Sequence, residues 1–574
     1  MKNLRVAPVL HGTAALIALA MLLLPVRGAI CQTPASAADE VRRVCSNLPF
    51  RMPEIPVPSF PDTNFNISDF GAAGDGHTLN TEAIGKAIRA CAKAGGGSVV
   101  IPPGTWLTGP IRLESNINLH LERGALIQFS RSIGDYPFIP GLDGKSKRFI
   151  VTPPLSAYGD SNIAVTGEGV LDGGGEAWRY VKKEKLTPSQ WKALVASGGV
   201  VSSDGKEWWP SREAMEGETT LRELEQSGKK LSAQDYAQTK EFLRPDLVRF
   251  VRCRGILLDG PTFQNSPRFH IHPAECQDLI IRNIRIFTEW YAQNGDGLDL
   301  SSCRNAVIVN VTASVGDDGI CLKPGATSHP MWDGPACENI VVADCKVYRA
   351  HGGFVIGSES AGGARNIAVR NCIFSGTDVG LRFKSLRGKG GLIENVDIDG
   401  IRMRAIEDEA ILFDMFYGGA APEEEATKNL GEAKPQQADA RTPRFRKFSI
   451  RNVVCDGAAR AMLIHGLPEM PVRNLTFENL SIAARKGVLC IDADSLTITG
   501  SRIFPDESPV IALTECRNVT LRRLDFPEHS PLFLKADGGR TAGVHLVDVD
   551  LKKAVSGISL GKDVDPGSVS AKQP

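Results

Sequence analysis

A short repeat runs through most of this chain and constrains its fold more than any other feature. Each copy has an Asn or Asp followed by a strand-like run of alternating apolar and polar residues, and most steps between copies span 21 to 34 residues. The repeated polar positions are Asp278, Asn305, Asn339, Asn366, Asn395, Asn474 and Asn518. Short strands at such a period, with almost no helical periodicity between them, predict a solenoid whose coils stack strand upon strand. We therefore predict an all-β fold, a right-handed, single-stranded parallel β-helix, and not a β-propeller, which has a longer period and antiparallel strands.

A solenoid needs a cap, because its first coil would otherwise expose unpaired strand edges. The segment from Thr81 to Ala94 carries the strongest helix signal in the chain, with apolar residues at helical spacing and with Gly95 after its end. Thr81 is the expected N-cap. We predict that this helix caps the N-terminal end of the solenoid.

The first 29 residues have the pattern of a signal peptide. Lys2 and Arg5 precede an apolar run at 14–24, which is followed by Pro25 and small residues. The run is too short to span a membrane, so we expect an exported protein, periplasmic or secreted, that is not inserted in a membrane after the leader is removed. Ile30, rather than a small residue, precedes Cys31, which argues against a lipid anchor.

The remaining chain divides into an N-terminal linker at 30–60, one β-helix domain at 61–561 and a tail at 562–574 that we expect to be disordered. Two polar stretches, about 176–243 and 418–444, interrupt the repeat and are predicted to be insertions. The first insertion carries four of the seven tryptophans, whose rings either stack on sugars or pack within the insertion. We expect the protein to be a monomer.

Charge and cysteine usage argue against two classes of protein. The chain has 66 basic residues (Lys and Arg) and 66 acidic residues (Asp and Glu). No net positive charge therefore attracts nucleic acid, and a polyanionic partner must be held by local charges. The 13 cysteines are an odd number, and several recur in one local context, as in Cys276-Gln-Asp-Leu and Cys303-Arg-Asn-Ala. We expect them to be buried, unpaired positions of the repeat rather than a disulfide scaffold.

Four polar motifs lie on successive repeats within fewer than a hundred residues. They are Asn294-Gly-Asp-Gly, Gly316-Asp-Asp, His351-Gly and Arg382-Phe-Lys, and their polar residues include Asp296, Asp317, Asp318, His351, Arg382 and Lys384. Adjacent coils of a β-helix stand about 4.8 Å apart, so the four motifs converge in space. Asp317 and Asp318 can face one side only at a bend or strand end, which the flanking glycines favour. Taken singly, each motif is equally typical of a turn.

Clustered carboxylates beside cations match what glycoside cleavage requires. One carboxylic acid protonates the leaving oxygen, and another carboxylate acts opposite it. Crowding of three aspartates is expected to raise the pKa of one of them and to keep a proton available for donation. Arg382 and Lys384 alternate on one strand and therefore share a face, where they suit a sugar carboxylate.

The four motifs, in this order, resemble glycoside hydrolase family 28, the polygalacturonases. The resemblance extends from Asn66-Ile-Ser-Asp-Phe-Gly through Asn265-Ser-Pro and His272-Pro to about Leu551, with one departure at Phe269, where similar proteins tend to have Trp. It implies a pectin-lyase-like β-helix that hydrolyses galacturonic-acid linkages in a pectic polysaccharide or an oligogalacturonide. It implies no metal and no other cofactor.

The resemblance also implies catalytic roles. Asp317 is expected to be the general acid, and Asp296 and Asp318 are expected to activate the attacking water. Hydrolysis would then invert the anomeric centre, for which acid and base carboxyl groups stand about 6.5–9.5 Å apart. His351 is expected to hydrogen-bond to the acid and tune it.

The remaining site residues are expected to bind substrate. Arg382 and Lys384 would hold the galacturonate carboxylate. Further expected substrate contacts are Gln293, Asn294, His272 and Tyr417. For Tyr417, packing within the protein is an equally good expectation.

The runs Trp290-Tyr-Ala-Gln and Gly380-Leu-Arg-Phe-Lys-Ser resemble bacterial exo-acting members and favour exo action, with the tryptophan-rich insertion predicted to block one end of the groove. Three alternatives stay open: a hydrolase of rhamnogalacturonan or substituted galacturonan, a pectate-lyase-like β-helix, and a non-catalytic β-helix that binds glycans. The lyase would use calcium, and no acidic array here has calcium-loop spacing.

Overall fold

A computed structural model describes residues 36–141, 148–325, 334–417 and 434–572. The leader predicted at 1–29 lies outside these residues, as does most of the insertion predicted at 418–444. Within the described part of the chain, no helix is both long and apolar enough to cross a membrane. The chain winds into a parallel β-helix, as the repeat predicts, because the strands of each coil pair in parallel with those of the next.

Each complete coil contributes one strand to each of three sheets, in the order A, B, C. Three long strands, Leu392–Asp414, Arg444–His465 and Val472–Ala484, bend from one sheet into the next. Besides these, sheet A contains Asn64–Asn66, Gly97–Ile101, Ile117–Leu121, Ser161–Gly167, Arg254–Asp259, Gln277–Arg282, Arg304–Val309, Cys337–Ala343, Ala364–Arg370, Ala493–Thr499, Arg517–Arg522, Ala542–Val547 and Val569–Lys572. Sheet B contains Gly104–Thr108, Ala125–Phe129, Val170–Asp172, Thr262–Gln264, Arg285–Phe287, Thr312–Ser314, Lys346–Tyr348, Ile373–Ser375 and Arg502–Pro505. Sheet C contains Ile111–Arg112, Leu155–Tyr158, Val248–Val251, Ile271–Ala274, Leu298–Leu300, Ile320–Leu322, Gly352–Ile356, Val379–Lys384, Lys486–Ile491, Ile511–Thr514, Ser530–Asp537 and Ala554–Leu560.

The repeated Asn positions set the coil geometry. Asn305, Asn339 and Asn366 have φ between 55° and 57°, in the left-handed region that Asn tolerates better than other non-glycine residues. Their side chains form a ladder, in which Asn339 donates to Asn305 at 3.1 Å and Asn366 donates to Asn339 at 3.0 Å. The ladder aligns successive coils, while the inward side chains of every coil form one continuous apolar core.

Buried cysteines belong to that core. Cys276, Cys303 and Cys337 are at most 1% exposed, and the twelve cysteines among the described residues are free thiols. Eleven of these twelve cysteines are buried and unpaired, as predicted, and Cys45 is half-buried.

The N-terminal end is capped by the helix Thr81–Lys93, which buries Ile84, Ala87, Ile88 and Cys91 against the core. The N-cap is Asn80 rather than Thr81; the Thr81 hydroxyl instead accepts a hydrogen bond from the backbone N–H of Gly109 at 2.6 Å. The preceding segment, predicted as a linker, forms the helix Ala37–Val44 and an extended run. It packs on the outer face of sheet A, because outward positions such as Ile280 and Val307 are apolar and need cover.

The first insertion leaves the β-helix after Val170–Asp172 and returns before Val248–Val251. It contains the helices Pro188–Ala196 and Arg212–Gln226 and an antiparallel sheet of Val181–Lys182, Val200–Val201 and Glu207–Trp209. A separate antiparallel pair, Phe138–Pro140 and Phe149–Val151, lies nearby in sequence. Short 3-10 turns occur at Ile67–Phe70, Ile133–Asp135, Gly175–Ala177, Lys183–Lys185, Ala237–Thr239, Leu551–Lys553 and Pro566–Ser568.

The tail predicted to be disordered from residue 562 is ordered instead. Val569–Lys572 pairs in parallel with Ala542–Val547 and adds the last strand of sheet A. This strand satisfies backbone groups that would otherwise remain free on the last coil.

Candidate active site

Three aspartates from two adjacent coils meet at the edge of sheet C. Asp296 precedes Leu298–Leu300; Asp317 and Asp318 precede Ile320–Leu322, which pairs with that strand. One carboxylate oxygen from each residue lies within 4.8 Å of the others. Asp296 and Asp318 are buried, and Asp317 is partly exposed. Asp317 and Asp318 sit in a bend before their strand, as the flanking glycines predicted.

The expected separation of about 6.5–9.5 Å is measured between whole carboxyl groups, and it stays a prediction for this cluster. The nearest oxygens of the three aspartates lie within 4.8 Å of one another. This closeness follows from the coil spacing, because residues at equivalent positions on adjacent coils are about 4.8 Å apart along the axis.

The glycines of the motifs are required for close packing of the coils. A Cβ atom on Gly297 would lie 2.5 Å from the carbonyl oxygen of Gly319, and one on Gly316 would lie 2.4 Å from that of Ala292. Backbone atoms cannot move away as a flexible side chain can, so a larger residue would displace the neighbouring aspartates. These glycines are thus needed for the close approach of two neighbouring coils.

Cations compensate the two buried aspartates. Lys323 Nζ lies 3.1 Å from Asp296 Oδ2 and 3.5 Å from Oδ1 of Asp299, which is fully buried. On the other side of the cluster, Asp318 receives a hydrogen bond from Lys384 Nζ at 2.9 Å. Neither Lys323 nor Asp299 was predicted as a site residue, although both lie within five residues of the predicted aspartates.

These environments give the two buried carboxyl groups opposite protonation. Burial raises the pKa of Asp296 to about 7; Lys323 opposes this shift, and the charges of Asp317 and Asp318 add to it. Burial acts on Asp318 as well, but Lys384, Arg382 and Lys323 outweigh it and hold the pKa of Asp318 well below its usual range. Burial, with the charge of Asp296, also raises the pKa of the neighbouring Asp299 well above its usual range. The proton that crowding was expected to retain is therefore held on the Asp296 side of the cluster, beside Lys323, while Asp318 is ionised.

His351 does not make the side-chain hydrogen bond to the acid that we expected. Its Nδ1 lies 2.5 Å from Asp378 Oδ2, and its Nε2 lies 3.4 Å from the Nζ of Lys185. Its link to Asp317 is through the backbone, where the His351 N–H donates to the Asp317 carbonyl at 2.9 Å. Burial alone would lower the pKa of His351, but the hydrogen bond to Asp378 and the charge of Asp317 raise it above its ordinary value.

Arg382 and Lys384 project from one face of Val379–Lys384 into the cluster, as their alternation predicted. Arg382 Nη1 lies 3.5 Å from Asp318 Oδ1, so both cations pair with Asp318. Tyr417 packs against them, with its ring centre 5.4 Å from the Arg382 guanidinium and 4.9 Å from Lys384 Nζ. Tyr417 therefore belongs to the site, where it supports the two cations.

Gln293 and Asn294 are held by the end of the first insertion. Arg244 donates from Nη1 to the Gln293 carbonyl and from Nη2 to Asn294 Oδ1, both at 2.8 Å. Their polar groups are thus used in part to dock the insertion onto the cleft.

His272 is buried, and both of its ring nitrogens are engaged within the protein. Nδ1 lies 2.7 Å from Asp246 Oδ2, and Nε2 lies 2.8 Å from Ser301 Oγ. Burial lowers the pKa of His272 to about 4, so the ring is neutral. The expectation that His272 binds substrate through its ring is wrong, because no ring nitrogen is left for a ligand.

Three of the four insertion tryptophans pack within the protein, and the fourth, Trp191, is half-exposed and lines a separate pocket with Lys183. Trp178 is buried against Tyr136, Trp208 donates to the Gly198 carbonyl, and Trp209 stacks on Tyr180 at 4.2 Å. Outside the insertion, Trp290 is 46% exposed beside Lys185 at the mouth of a pocket next to His351. The aromatic ring best placed for a sugar is therefore Trp290.

Among the described residues, one acidic group has ligand atoms close enough to hold a metal ion, and it is the same aspartate cluster. Lys323, Lys384 and Arg382 contact that cluster and compensate its charge with groups of the chain itself. Metal independence stays a prediction, which a chelator tests.

Two family models match the chain. The model described as glycosyl hydrolases family 28 matches residues 149–434, which contain all four motifs. A second, described as rhamnogalacturonase A/epimerase, pectate lyase-like, matches residues 64–120 around the capping helix.

Curated relatives and solved structures agree with the first match. The chain is 26% identical to the exo-poly-alpha-D-galacturonosidase of Dickeya chrysanthemi over 396 residues, which are 68% of this chain and 61% of that protein. It is 24% identical to a probable polygalacturonase of Vitis vinifera over 77% of this chain and 81% of the relative. The crystal structure of an exopolygalacturonase from Thermotoga maritima matches with 27% identity and a TM-score of 0.60, over 85% of this chain and 96% of that one. The fold is thus the right-handed, pectin-lyase-like β-helix that the repeat and the motifs predicted.

Proposed function

This chain belongs to glycosyl hydrolase family 28, and from that premise we propose that it hydrolyses α-1,4-linked galacturonic acid in pectin-type polysaccharide, acting from the chain end. The observation that carries the proposal is the aspartate cluster, in which a buried carboxyl that retains a proton near neutral pH adjoins an ionised one. Glycoside hydrolysis needs both states at once.

We assign the proton transfer to Asp317, the partly exposed aspartate of the cluster. Asp317 protonates the leaving glycosidic oxygen as the bond to the anomeric carbon breaks. Asp318, held ionised by Lys384, accepts a hydrogen bond from the attacking water. The proton that this water gives up returns to the cluster and replaces the one that Asp317 donated, so one water is consumed per bond cleaved. Asp296 holds that proton between turnovers and passes it to Asp317, whose nearest carboxylate oxygen lies within 4.8 Å, before the next bond is cleaved.

Inversion at the anomeric centre is part of the proposal. Water attack on the face opposite the leaving group gives the inverted anomer whenever no covalent glycosyl-enzyme forms. Proton NMR of the first product, recorded before mutarotation, gives the β-anomer for inversion and the α-anomer for retention.

Local charge supports a polyanionic substrate. The chain has a net charge of zero, yet Lys185, Lys323, Arg382 and Lys384 all lie beside the aspartate cluster or His351. Arg382 and Lys384 can share their N–H donors between Asp318 and a sugar carboxylate.

Exo action is supported by the first insertion, which reaches the cleft through Lys185 and Arg244. A groove closed at one end admits only a chain terminus. The match at residues 64–120 to the rhamnogalacturonase description covers the cap rather than the cleft, so it does not favour a rhamnogalacturonan substrate.

We also propose that the protein acts outside the cytoplasm as a monomer. The leader-like residues 1–29 support export. Fractionation of the producing cells and light scattering of the purified protein test the two statements; a cytoplasmic, uncleaved chain or a stable dimer would contradict them.

The test of the function is incubation of the purified protein with polygalacturonate and, separately, rhamnogalacturonan, with a chelator present. We expect new reducing ends from polygalacturonate, monogalacturonate as the first product, and no absorbance from unsaturated sugars. Oligomers of mixed size would show that the enzyme is endo-acting rather than exo-acting. New absorbance from unsaturated sugars would show that it is a lyase. No reaction on either polymer would favour a glycan-binding protein.

A further inference from the structure

Next to the aspartate cluster, toward the N-terminal end of the β-helix, lies a pocket of about 370 Å³ lined by arginines. Its floor is the outer face of sheet C, where Arg249 pairs in register with His272. Its wall is formed by residues 242–245, at the end of the first insertion, and by Ile150, Val151 and Pro153. The catalytic steps proposed for the aspartates do not use this pocket.

The pocket has an excess of positive charge. Arg244, Arg249 and Arg268 line it together with one carboxylate, Asp246. Arg249 Nη1 and Arg268 Nε lie 3.8 and 3.9 Å from the oxygens of Asp246, which is longer than a hydrogen bond. Asp246 is hydrogen-bonded to His272 instead, and Arg249 Nη1 donates to the His272 backbone carbonyl at 3.4 Å. Among the described residues, no carboxylate oxygen lies within hydrogen-bond distance of Arg249 or Arg268.

Arg244 is the least compensated of the three. Among the residues that the structure describes, no carboxylate oxygen lies within 4.0 Å of its guanidinium. It donates instead to the backbone carbonyls of Pro267 and Gln293 and to Asn294 Oδ1, and it lies over the Tyr180 ring at 5.5 Å. Burial and the neighbouring Arg268 lower the pKa of Arg244 to about 10, which leaves it charged at neutral pH. Cations desolvated in this way, without an anionic partner, favour binding of an anion.

The pocket is connected to the reacting centre. Arg244 contacts Asn294, two residues before Asp296. The ring of Phe269 lies 4.2 Å from the Arg268 guanidinium and 4.8 Å from Lys323 Nζ, the cation paired with Asp296.

The coil spacing places this pocket within reach of one substrate chain. Arg249 lies two coils before the strand that follows Asp296, so the two positions are about 10 Å apart along the axis. Arg382 lies two coils beyond the strand that follows Asp318, on the opposite side of the cluster. Cations therefore flank the aspartates on both sides along the floor of the cleft.

We propose that this arginine pocket binds the carboxylate of the terminal uronate of the substrate, and that the wall behind it limits cleavage to the chain end. This inference rests on the proposed function. The planar guanidinium group suits a sugar carboxylate, which can accept two parallel hydrogen bonds from it. A neutral hexose has no anionic group to offer the arginines. Specificity for a uronate terminus thus comes from Arg249 and Arg268, in addition to Arg382 and Lys384 on the other side.

The test compares Arg249→Gln and Arg268→Gln with Arg285→Gln, which alters an exposed arginine on sheet B. On trigalacturonate we expect the two pocket variants to raise KM about tenfold or more, since a charge-assisted hydrogen bond is lost, while kcat changes little. Arg285→Gln should match the wild type. Arg268→Lys keeps the charge but not the fork and should lie between wild type and Arg268→Gln. A KM within twofold of the Arg285→Gln value for both pocket variants would overturn the proposal.

Calorimetric binding of galacturonate and of galactose separates this inference from the function. We expect the wild type to bind galacturonate more tightly than galactose, and Arg268→Gln to show a smaller preference, since Arg249, Arg382 and Lys384 remain. A wild type that binds galacturonate in this way but does not cleave trigalacturonate would refute the proposed hydrolysis and leave the pocket standing. A wild type that cleaves trigalacturonate while Arg268→Gln keeps the full wild-type preference for galacturonate would refute the pocket alone.

Discussion

Replacement of Asp296 by asparagine should change how the stability of the protein depends on pH. The carboxyl is 2% exposed, and burial raises its pKa from 3.8 to about 7. Between those two pH values the folded chain binds this proton more tightly than the unfolded chain does. The free energy of unfolding that Asp296 contributes is therefore highest at low pH and falls as the pH rises toward 7.

The size of the effect follows from the shift. One pKa unit corresponds to about 1.4 kcal/mol, so the wild type should lose about 3 kcal/mol of unfolding free energy from this one group between pH 5 and pH 8. The amide introduced by Asp296→Asn carries no titrating proton, so the variant should not show that loss. Asp299 stays beside Lys323 in the variant, and burial raises its pKa well above its usual range as well.

Guanidinium unfolding of wild type and Asp296→Asn at pH 5 and pH 8 measures this difference. We expect the stability of the variant relative to wild type to rise by about 3 kcal/mol from the lower to the higher pH. Asp456→Asn, the same chemical change at an exposed position, serves as the control. If the wild-type and Asp296→Asn curves run parallel between the two pH values, the reasoning about a buried, protonated Asp296 is refuted.

Four further predictions concern activity on polygalacturonate. Asp317→Asn should fold like the wild type by circular dichroism and lose about 10²–10⁴ of kcat, as expected for a missing general acid; an active variant would remove Asp317 from that role. Arg382→Ala should lower kcat/KM more for a galacturonate chain than for its methyl ester, and equal losses would mean that Arg382 does not read the carboxylate. EDTA should leave the rate unchanged, because Lys323 and Lys384 compensate the aspartates, whereas a loss restored by calcium would contradict metal independence. The rate should fall above pH 7 as Asp296 loses its proton, and a profile that stays flat to pH 9 would argue against the stored proton.

The repeat made much of the fold and the centre of the site predictable from the sequence. Asn305 and Asn339 recur because each coil needs a left-handed residue at one corner, so their spacing gives the coil length. Once the coil length is known, residues one repeat apart must stack, which is why Asp296 and Asp317 could be placed together before any coordinates. Arg382 and Lys384 share a face for the simple reason that strand side chains alternate.

Residues outside the repeat could not be placed in this way. Lys185 and Arg244 come from an insertion whose path depends on its own packing, so nothing in their local sequence indicates that they contact His351 and Asn294. His272 was misjudged because its buried partner Asp246 also lies outside the repeat.

The central claim is that water, bound at the aspartate cluster, is the nucleophile that cleaves a galacturonide bond. Its most direct test is a reaction of trigalacturonate in water enriched in heavy oxygen, with the products analysed by mass spectrometry immediately after quenching. We predict one heavy oxygen at each new reducing end with the wild type, and labelled product that forms at least about a hundredfold more slowly with Asp317→Asn. Unsaturated products that carry no label would contradict hydrolysis and replace it by elimination.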